Sequence, residues 1–284
     1  MSDTAVTIHG PLVRDGRVQI SVADGVALLR LNRPEKLNAF DGEQIQAFED
    51  AIGWFLSSPD ARVGVLTGSE RAFCAGGDIT TFDAIDVDAG QPYTRRGYDI
   101  LRPLETGEKP IIAAVDGYCL AGGLEVALAC DFIIAGERAQ FGFGEVDLGL
   151  IPAWGGTVRL SRAISPRVAR QDILTSERLD AQRAAALGLV NEVVAAGGAA
   201  ERALELARKI AGQPPVAVRA ASGSKWMGAK SRFAAASMTR RWMVSATVNG
   251  ASASPTSTCG LPTWEVIRWA PAAALPAAAS RSPR

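Results

Sequence analysis

One order of residues occurs twice and limits the folds open to this chain: an apolar run, a pair of adjacent glycines, then a helical start. The first copy is "VGVLTG" (63–68) followed by "AFCAGGDI" (72–79). The second is "PIIAAVDG" (110–117), then the glycine loop "YCLAGG" (118–123), then "LEVALACD" (124–131). The apolar runs are short and bounded by turn residues, as in strands buried on both faces. A helix is expected after each loop, beginning near Asp78 in the first copy and at Leu124 in the second, where the sequence is apolar on nearly all sides. "FIIA" (132–135) reads as a further strand. Two successive strand–loop–helix units imply an α/β protein with a largely parallel sheet. Their loops lie side by side at the carboxyl ends of the strands, where such proteins place ligands.

The chain opens differently. "VQISV" (18–22) and "VALLRL" (26–31) flank "ADG", and an Asp-Gly pair between β-branched runs marks an antiparallel hairpin. Asp41 caps a helix with Gln44 as its reciprocal partner, and Ile45, Phe48, Ile52 and Phe55 recur at helical spacing until Pro59. From Gly155 the pattern is helical through "RVARQDIL", "DAQRAAALGLV" and "AAERALELARKIAG", broken by a short strand "VNEVV", and helices continue through "SRFAAASMTRRWMVSATV" (231–248). The expected organisation is an N-terminal arm at 1–16, an α/β core at 17–200 and a helical region at 201–249. A tail at 250–284, rich in Pro, Ser and Ala without a clear period, has a composition that suits disorder.

Thirty basic residues balance thirty acidic ones, so no long-range field draws the chain to nucleic acid or to an anionic membrane. Its longest apolar region, 119–135, is interrupted by Glu125 and Asp131, which argues against a membrane span. Cys74, Cys119, Cys130 and Cys259 are scattered and form no C-x-x-C pair, so neither a zinc site nor a disulfide scaffold is expected. The first residues lack a basic start followed by an apolar run, and a cytoplasmic location is expected. The single histidine, His9, precedes the first strand, which leaves little material for histidine-based mechanisms such as the Ser-His pair of a serine protease.

A phosphate cradle is disfavoured: no G-x-x-x-x-G-K-[ST] occurs, and Gly142-Phe143-Gly144 has Asp147 where a third dinucleotide glycine would fall. The glycine pairs then admit two readings. Gly76, Gly77, Gly122 and Gly123 serve tight turns and close packing, or they expose backbone N–H groups to an oxygen that gains negative charge during reaction. On the second reading glycine lets the chain press against a ligand, where a Cβ would hold the donors away. Two carboxylates adjoin these loops. Glu125 opens the apolar helix and Glu145 sits in "FGFGEVDLG". Brought to one apolar site, they would raise each other's pKa by burial and repulsion and suit acid/base work. The alternatives are a helix N-terminal charge for Glu125 and a solvated loop residue for Glu145.

From about residue 17 to 249 the sequence resembles the enoyl-CoA hydratase/isomerase, or crotonase, superfamily, and is most like an enoyl-CoA hydratase. The resemblance is carried by "NRPEKLNAF", "LTGSERAFCAGGDI", "AAALGLVNEVV" and, most specifically, "KPIIAAVDGYCLAGGLEVALACDFIIAGERAQFGFGEVDLGLIPAWGGTVRL". It implies a ββα spiral core with a C-terminal helical region, assembled as a homotrimer or a dimer of trimers. It also implies a lyase of fatty-acid and lipid metabolism that adds water across the C2=C3 bond of a 2-enoyl-CoA. In that mechanism the N–H groups of Gly77 and Gly122 hold the thioester oxygen. Glu125 and Glu145 hold and deprotonate the water, and Glu145 delivers the proton to C2.

By the same resemblance Ala75, Asp78 and Ile79 border the adenine and pantetheine of CoA, and Lys36 and Leu37 lie on a loop covering that arm. Trp154, in "IPAWGG", trims the acyl pocket or packs the fold. No metal and no separate cofactor are expected, because coenzyme A arrives with the substrate. Two departures stand out. Gly144 replaces a proline common in the hydratases, and nothing after Asn249 matches the family's amphipathic ending, as a shifted reading frame or a divergent tail would produce. An isomerase working with one carboxylate and a non-catalytic acyl-CoA-binding protein are the competing readings.

Overall fold

The computed structural model describes residues 14–80 and 87–223. The chain divides after Lys230, and these residues belong to the first unit, Met1–Lys230. His9, Cys259, the helix expected at 231–248 and the tail from 250 lie outside the described residues.

Strands β1 (Val18–Ala23) and β2 (Val26–Leu31) pair antiparallel with Ala23 opposite Val26. Asp24 and Gly25 between them adopt φ 55° and 77°, the two left-handed residues that a tight hairpin demands. Helix α1 (Gly42–Ser57) starts at Asp41, whose carboxylate accepts the Gln44 N–H at 2.7 Å. The reciprocal bond expected from Gln44 is not made. Arg17, ion-paired to Asp41 at 3.2 Å, brings its own carbonyl within reach, and the Gln44 amide donates to it at 3.2 Å. Ile45, Phe48, Ile52 and Phe55 are all buried, as their spacing requires.

The repeated unit is strand, strand, helix rather than strand, loop, helix. It runs β3 (Val63–Thr67), β4 (Ala72–Cys74), α2 (Val87–Thr106), then β5 (Ile111–Val115), β6 (Tyr118–Leu120), α3 (Gly122–Ala129), then β7 (Phe132–Gly136) and β8 (Gln140–Gly142). The first strand of each pair enters a six-stranded sheet ordered β1-β2-β3-β5-β7-β10, parallel from β2 onward, with β10 (Glu192–Val194) at its edge. The second enters a four-stranded sheet ordered β4-β6-β8-β9, closed by the antiparallel β9 (Leu179–Asp180). "AFC" and "YCL" are therefore strands of a second sheet and not parts of the loops. Strands of three residues are too short to display a period. The glycine pairs thus follow the small sheet.

In the first unit the described α-helix runs Val87–Thr106, and residues 81–86 between it and the glycine loop lie outside the described residues. The Asp78 carboxylate accepts the Thr80 N–H at 3.2 Å and its hydroxyl at 2.7 Å, and residues 79–80 are in 3-10 conformation. The helices after β8 are α4 (Gly156–Ala163), α5 (Pro166–Thr175), α6 (Ala181–Ala186), α7 (Ala199–Ala211) and α8 (Pro215–Gly223).

The large sheet is buried on both faces. Val63, Val65, Ile112, Ala114 and Ile134 pack against α7. That helix presents Ala199, Ala203, Ala207 and Ala211, a stripe at four-residue spacing with no bulk to hold it off. Their strand neighbours Leu66, Ile111, Ala113 and Ile133 point the other way, into the cluster that carries α1, α3 and the small sheet. The expected boundary at 200/201 falls inside α7, which packs with the core sheet because its alanine stripe is covered by it. No helix among the described residues is long and apolar enough to cross a membrane.

Candidate active site

The two glycine loops press on each other. A Cβ on Gly76, at φ 103°, would sit 2.6 Å from the Ala121 Cβ, and one on Gly123 would sit 2.2 Å from the Cys74 carbonyl oxygen. Neither is tolerable. At Gly122 a Cβ would meet the Trp154 ring at 3.4 Å, an ordinary contact. The fold thus demands glycine at 76 and 123, where loop meets loop, as the packing reading has it, while at 122 the protein itself leaves room for a Cβ.

Each loop brings one glycine to the cavity wall by a different route. In the first, Phe40 donates to the Gly76 carbonyl at 2.7 Å and Asp78 donates to the Phe40 carbonyl at 2.9 Å, a bridge that does not use the Gly77 N–H. Gly76 itself donates to the Cys74 Sγ at 3.3 Å. In the second loop Ala121 takes φ 50° and ψ −126°, strained for an L-residue, and its N–H donates to the Gly142 carbonyl at 2.9 Å. Gly122 is then the first residue of α3, where an N–H has no intrahelical acceptor and the helix dipole favours negative charge.

A cavity of about 550 Å³ opens beside these loops, and Ala75, Gly77, Ile79, Gly122, Glu125, Glu145 and Trp154 all line it. Lys36, Leu37 and Asp78 do not. Lys36 is exposed, and Leu37 supports the first loop from behind by accepting the Ala75 N–H at 3.0 Å. Asp78 is turned away into an ion pair with Arg33 at 2.8 Å. The Thr80 hydroxyl and the Arg33 guanidinium hold its carboxyl down to about 2. Trp154 both packs and lines: its ring lies 5.5 Å from Phe40 and 5.6 Å from Tyr93, centroid to centroid.

Glu125 is 2 % exposed, and its Oε1 accepts the Gly156 N–H at 2.7 Å. Burial pushes its carboxyl up to about 8; the Gly156 N–H pulls the other way, the Glu145 charge adds to the rise and Arg159 subtracts from it. Glu145 is half-buried on the turn after β8, and its Oε2 is buried without a partner. Burial pushes it up to about 7 against the pull of the Glu145 and Gly144 N–H groups. Glu125 is therefore more than a charge on a helix dipole, and Glu145 is not a solvated loop residue. Two acids titrating near neutrality around one cavity can store and exchange a proton.

Sequence reasoning missed Tyr93, Phe143 and Arg178, which also line the cavity. Burial first, then the negative charge of Glu125, raises the Tyr93 phenol. Nothing in the polar stretch around Tyr93 signals its role as wall. Gly156 was visible only as one of a glycine pair, and its bond to Glu125 spans 31 positions.

The fold and site define a two-sheet α/β protein in which successive strand–strand–helix units bring two backbone loops, one buried acid and one half-buried acid to one apolar cavity. The family model for enoyl-CoA hydratase/isomerase matches residues 21–257, and the chain belongs to that family. It is 40% identical over 195 residues to the short-chain-enoyl-CoA hydratase of Clostridium acetobutylicum, covering 68% of this chain and 75% of that protein. It is 38% identical over 189 residues to the crotonyl-CoA hydratase of Syntrophomonas wolfei, covering 66% and 71%. The solved enoyl-CoA hydratase from Bacillus anthracis superposes with a TM-score of 0.76 at 31% identity, covering 82% of this chain and 92% of that one.

Proposed function

We propose that the protein is an enoyl-CoA hydratase in which Gly77 and Gly122 polarise the thioester and Glu125 and Glu145 add water across C2=C3. The observation that carries this reading is that both acids and both glycines line the same cavity. Similarity to the short-chain-enoyl-CoA and crotonyl-CoA hydratases supports the substrate class.

The thioester carbonyl oxygen accepts two backbone N–H bonds, which draws electrons from the double bond and leaves C3 electrophilic. The working state is the singly protonated pair with Glu125 ionised and the proton on Glu145. Glu125, held by Gly156, orients the water with Glu145 and takes its proton as the oxygen bonds to C3. The enolate charge gathers on the oxygen held by Gly77 and Gly122. Glu145, whose Oε2 has no protein partner, delivers the proton to C2, and the pair regains its starting state by passing one proton between its members. Water gives hydroxyl to C3 and, in balance, hydrogen to C2. No metal or separate cofactor enters these steps.

Ala75 and Ile79 border the CoA arm, and Trp154 limits the acyl chain. A homotrimer or dimer of trimers fits the exposed Leu148, Leu150, Ile151 and Leu174, and a reducing cytoplasm suits the buried free thiols of Cys74 and Cys119. A panel of 2- and 3-enoyl-CoA thioesters of increasing length, scored for both hydration and double-bond migration, tests the assignment. Water addition to short 2-enoyl-CoAs is expected. Migration without hydration would make the protein an isomerase, and tight binding without turnover would make it a binding protein.

A further inference from the structure

Behind the cavity wall lies a buried ion pair with no obvious place in the chemistry. Arg159, in the first turn of α4, is 6 % exposed, and Glu105, near the end of α2, is 8 % exposed. The pair is bidentate, Nε to Oε1 at 2.6 Å and Nη2 to Oε2 at 3.0 Å. The third arm, Nη1, donates to the Trp154 carbonyl. The main chain then crosses the guanidinium at Gly155, φ 107°, where a Cβ would lie 2.4 Å from Nη1. One residue later Gly156 donates its N–H to Glu125 Oε1 at 2.7 Å, wedged so that its own Cβ would lie 2.6 Å from the Phe143 ring.

A guanidinium is a rigid planar fork, so fixing two arms on Glu105 fixes the third on the Trp154 carbonyl. The turn from Trp154 to Gly156 is short and clamped at both ends. A buried ion pair is a poor way to gain stability, since apolar residues of similar volume often serve as well or better. Its geometry, aimed at the turn that holds Glu125, gives it a different purpose.

We propose that Arg159, anchored by Glu105, is a positioning residue that fixes the Trp154–Gly156 turn so that the Gly156 N–H holds Glu125 in the orientation proton transfer requires. The catalytic consequence rests on the hydratase reading; the relay from Arg159 to Glu125 does not. Glu125 also faces Glu145 from the turn after β8 and Tyr93 from α2, so the relay is read against those two groups. Of the charges acting on Glu125, Glu145 raises its pKa while Arg159 and the N–H groups of Gly156 and Trp154 lower it. Loosening the turn withdraws those N–H groups and moves the titration upward; removing the Arg159 charge does so as well, so a variant that keeps that charge isolates the turn's share.

The test is the double variant Arg159→Met/Glu105→Leu, which removes both charges and keeps the volume, beside Glu105→Asp, which keeps both charges and shortens the anchor by one methylene. Two quantities are measured: kcat and KM for crotonyl-CoA, and the titration of Glu125 by ¹³C NMR without substrate. The double variant is expected to fold, to lose about 10- to 100-fold in kcat with KM within about threefold, as misplacement of a reacting group by an ångström does, and to titrate Glu125 higher than wild type. Glu105→Asp shifts both quantities the same way by less. A folded variant with wild-type kcat and wild-type Glu125 titration overturns the proposal, and Glu105→Asp decides it on the same criteria if the double variant does not fold. Absence of turnover in the wild type would overturn the hydratase reading, while the NMR titration would still decide the relay.

Discussion

Each glycine loop hands the chain to a buried acid, and the two acids meet opposite fates. Asp78 directly follows Gly77, and Glu125 comes two residues after Gly123; they are 6 % and 2 % exposed. Asp78 faces the Thr80 hydroxyl and the Arg33 guanidinium and is held down to about 2. Glu125 accepts the backbone N–H of Gly156, and burial pushes it up to about 8. Burial alone does not decide whether a carboxylate is structural or reactive; its partner does. A paired acid braces a loop. An acid whose desolvation is left uncompensated keeps a proton within reach of chemistry.

The sharpest way to break this comparison is to neutralise each acid in turn. Glu125→Gln is expected to cut kcat for crotonyl-CoA by about 10²- to 10⁴-fold with the fold retained, the range of a lost acid/base group. Asp78→Asn should leave kcat within about tenfold. Equal losses in the two folded variants would abolish the distinction between a reactive and a bracing acid.

The loops themselves come next. Gly123→Ala forces a Cβ into the Cys74 carbonyl and should cost about 3 kcal/mol in urea unfolding, whereas Gly122→Ala should cost less than about 1 kcal/mol. Similar costs at the two positions would mean that the loops do not pack on each other as described.

Asp78→Asn should destabilise by about 2 kcal/mol, as expected for loss of a charge-assisted hydrogen bond. Because the folded pKa of Asp78 is depressed, its contribution is present above the ordinary aspartate range and disappears as pH falls through about 2. The wild-type advantage over Asp78→Asn should therefore narrow only in strong acid.

The smallest effect has the reverse sign. Glu125 is raised in the folded state, so its protonated form favours folding below the ordinary glutamate range, and that contribution is lost as pH rises through about 8. Relative to Glu125→Gln, the wild-type Tm should fall by about 2–4 °C for each kcal/mol of this linkage as pH rises from 6 to 9. A gap constant with pH would mean that Glu125 titrates normally.

Much of this was legible in the sequence because its signals are local. The Asp24-Gly25 hairpin, the Asp41 cap and the buried face of α1 are set by residues within a few positions of each other. The two acids and the two glycine pairs announced the cavity. The second sheet was not legible, since β4 and β6 have three residues each and fuse in the sequence with the loops that follow. Nor was the fate of Asp78, which depends on Arg33 at a separation of 45 positions. Lys36 and Leu37, expected beside the CoA arm, do not line the cavity, and the left-handed Leu37 supports the first loop through its carbonyl. The clamp of Arg159 and Glu105 joins residues 54 apart with no pattern to connect them.

The most direct test of the central claim is to follow crotonyl-CoA in ¹⁸O-labelled heavy water by mass spectrometry, in the wild type and in Glu145→Gln. The account predicts a wild-type 3-hydroxy product carrying ¹⁸O at C3 and one deuterium at C2, formed at least about 100-fold more slowly by the variant. Wild-type product without ¹⁸O, or equal labelling rates in the two proteins, would contradict it.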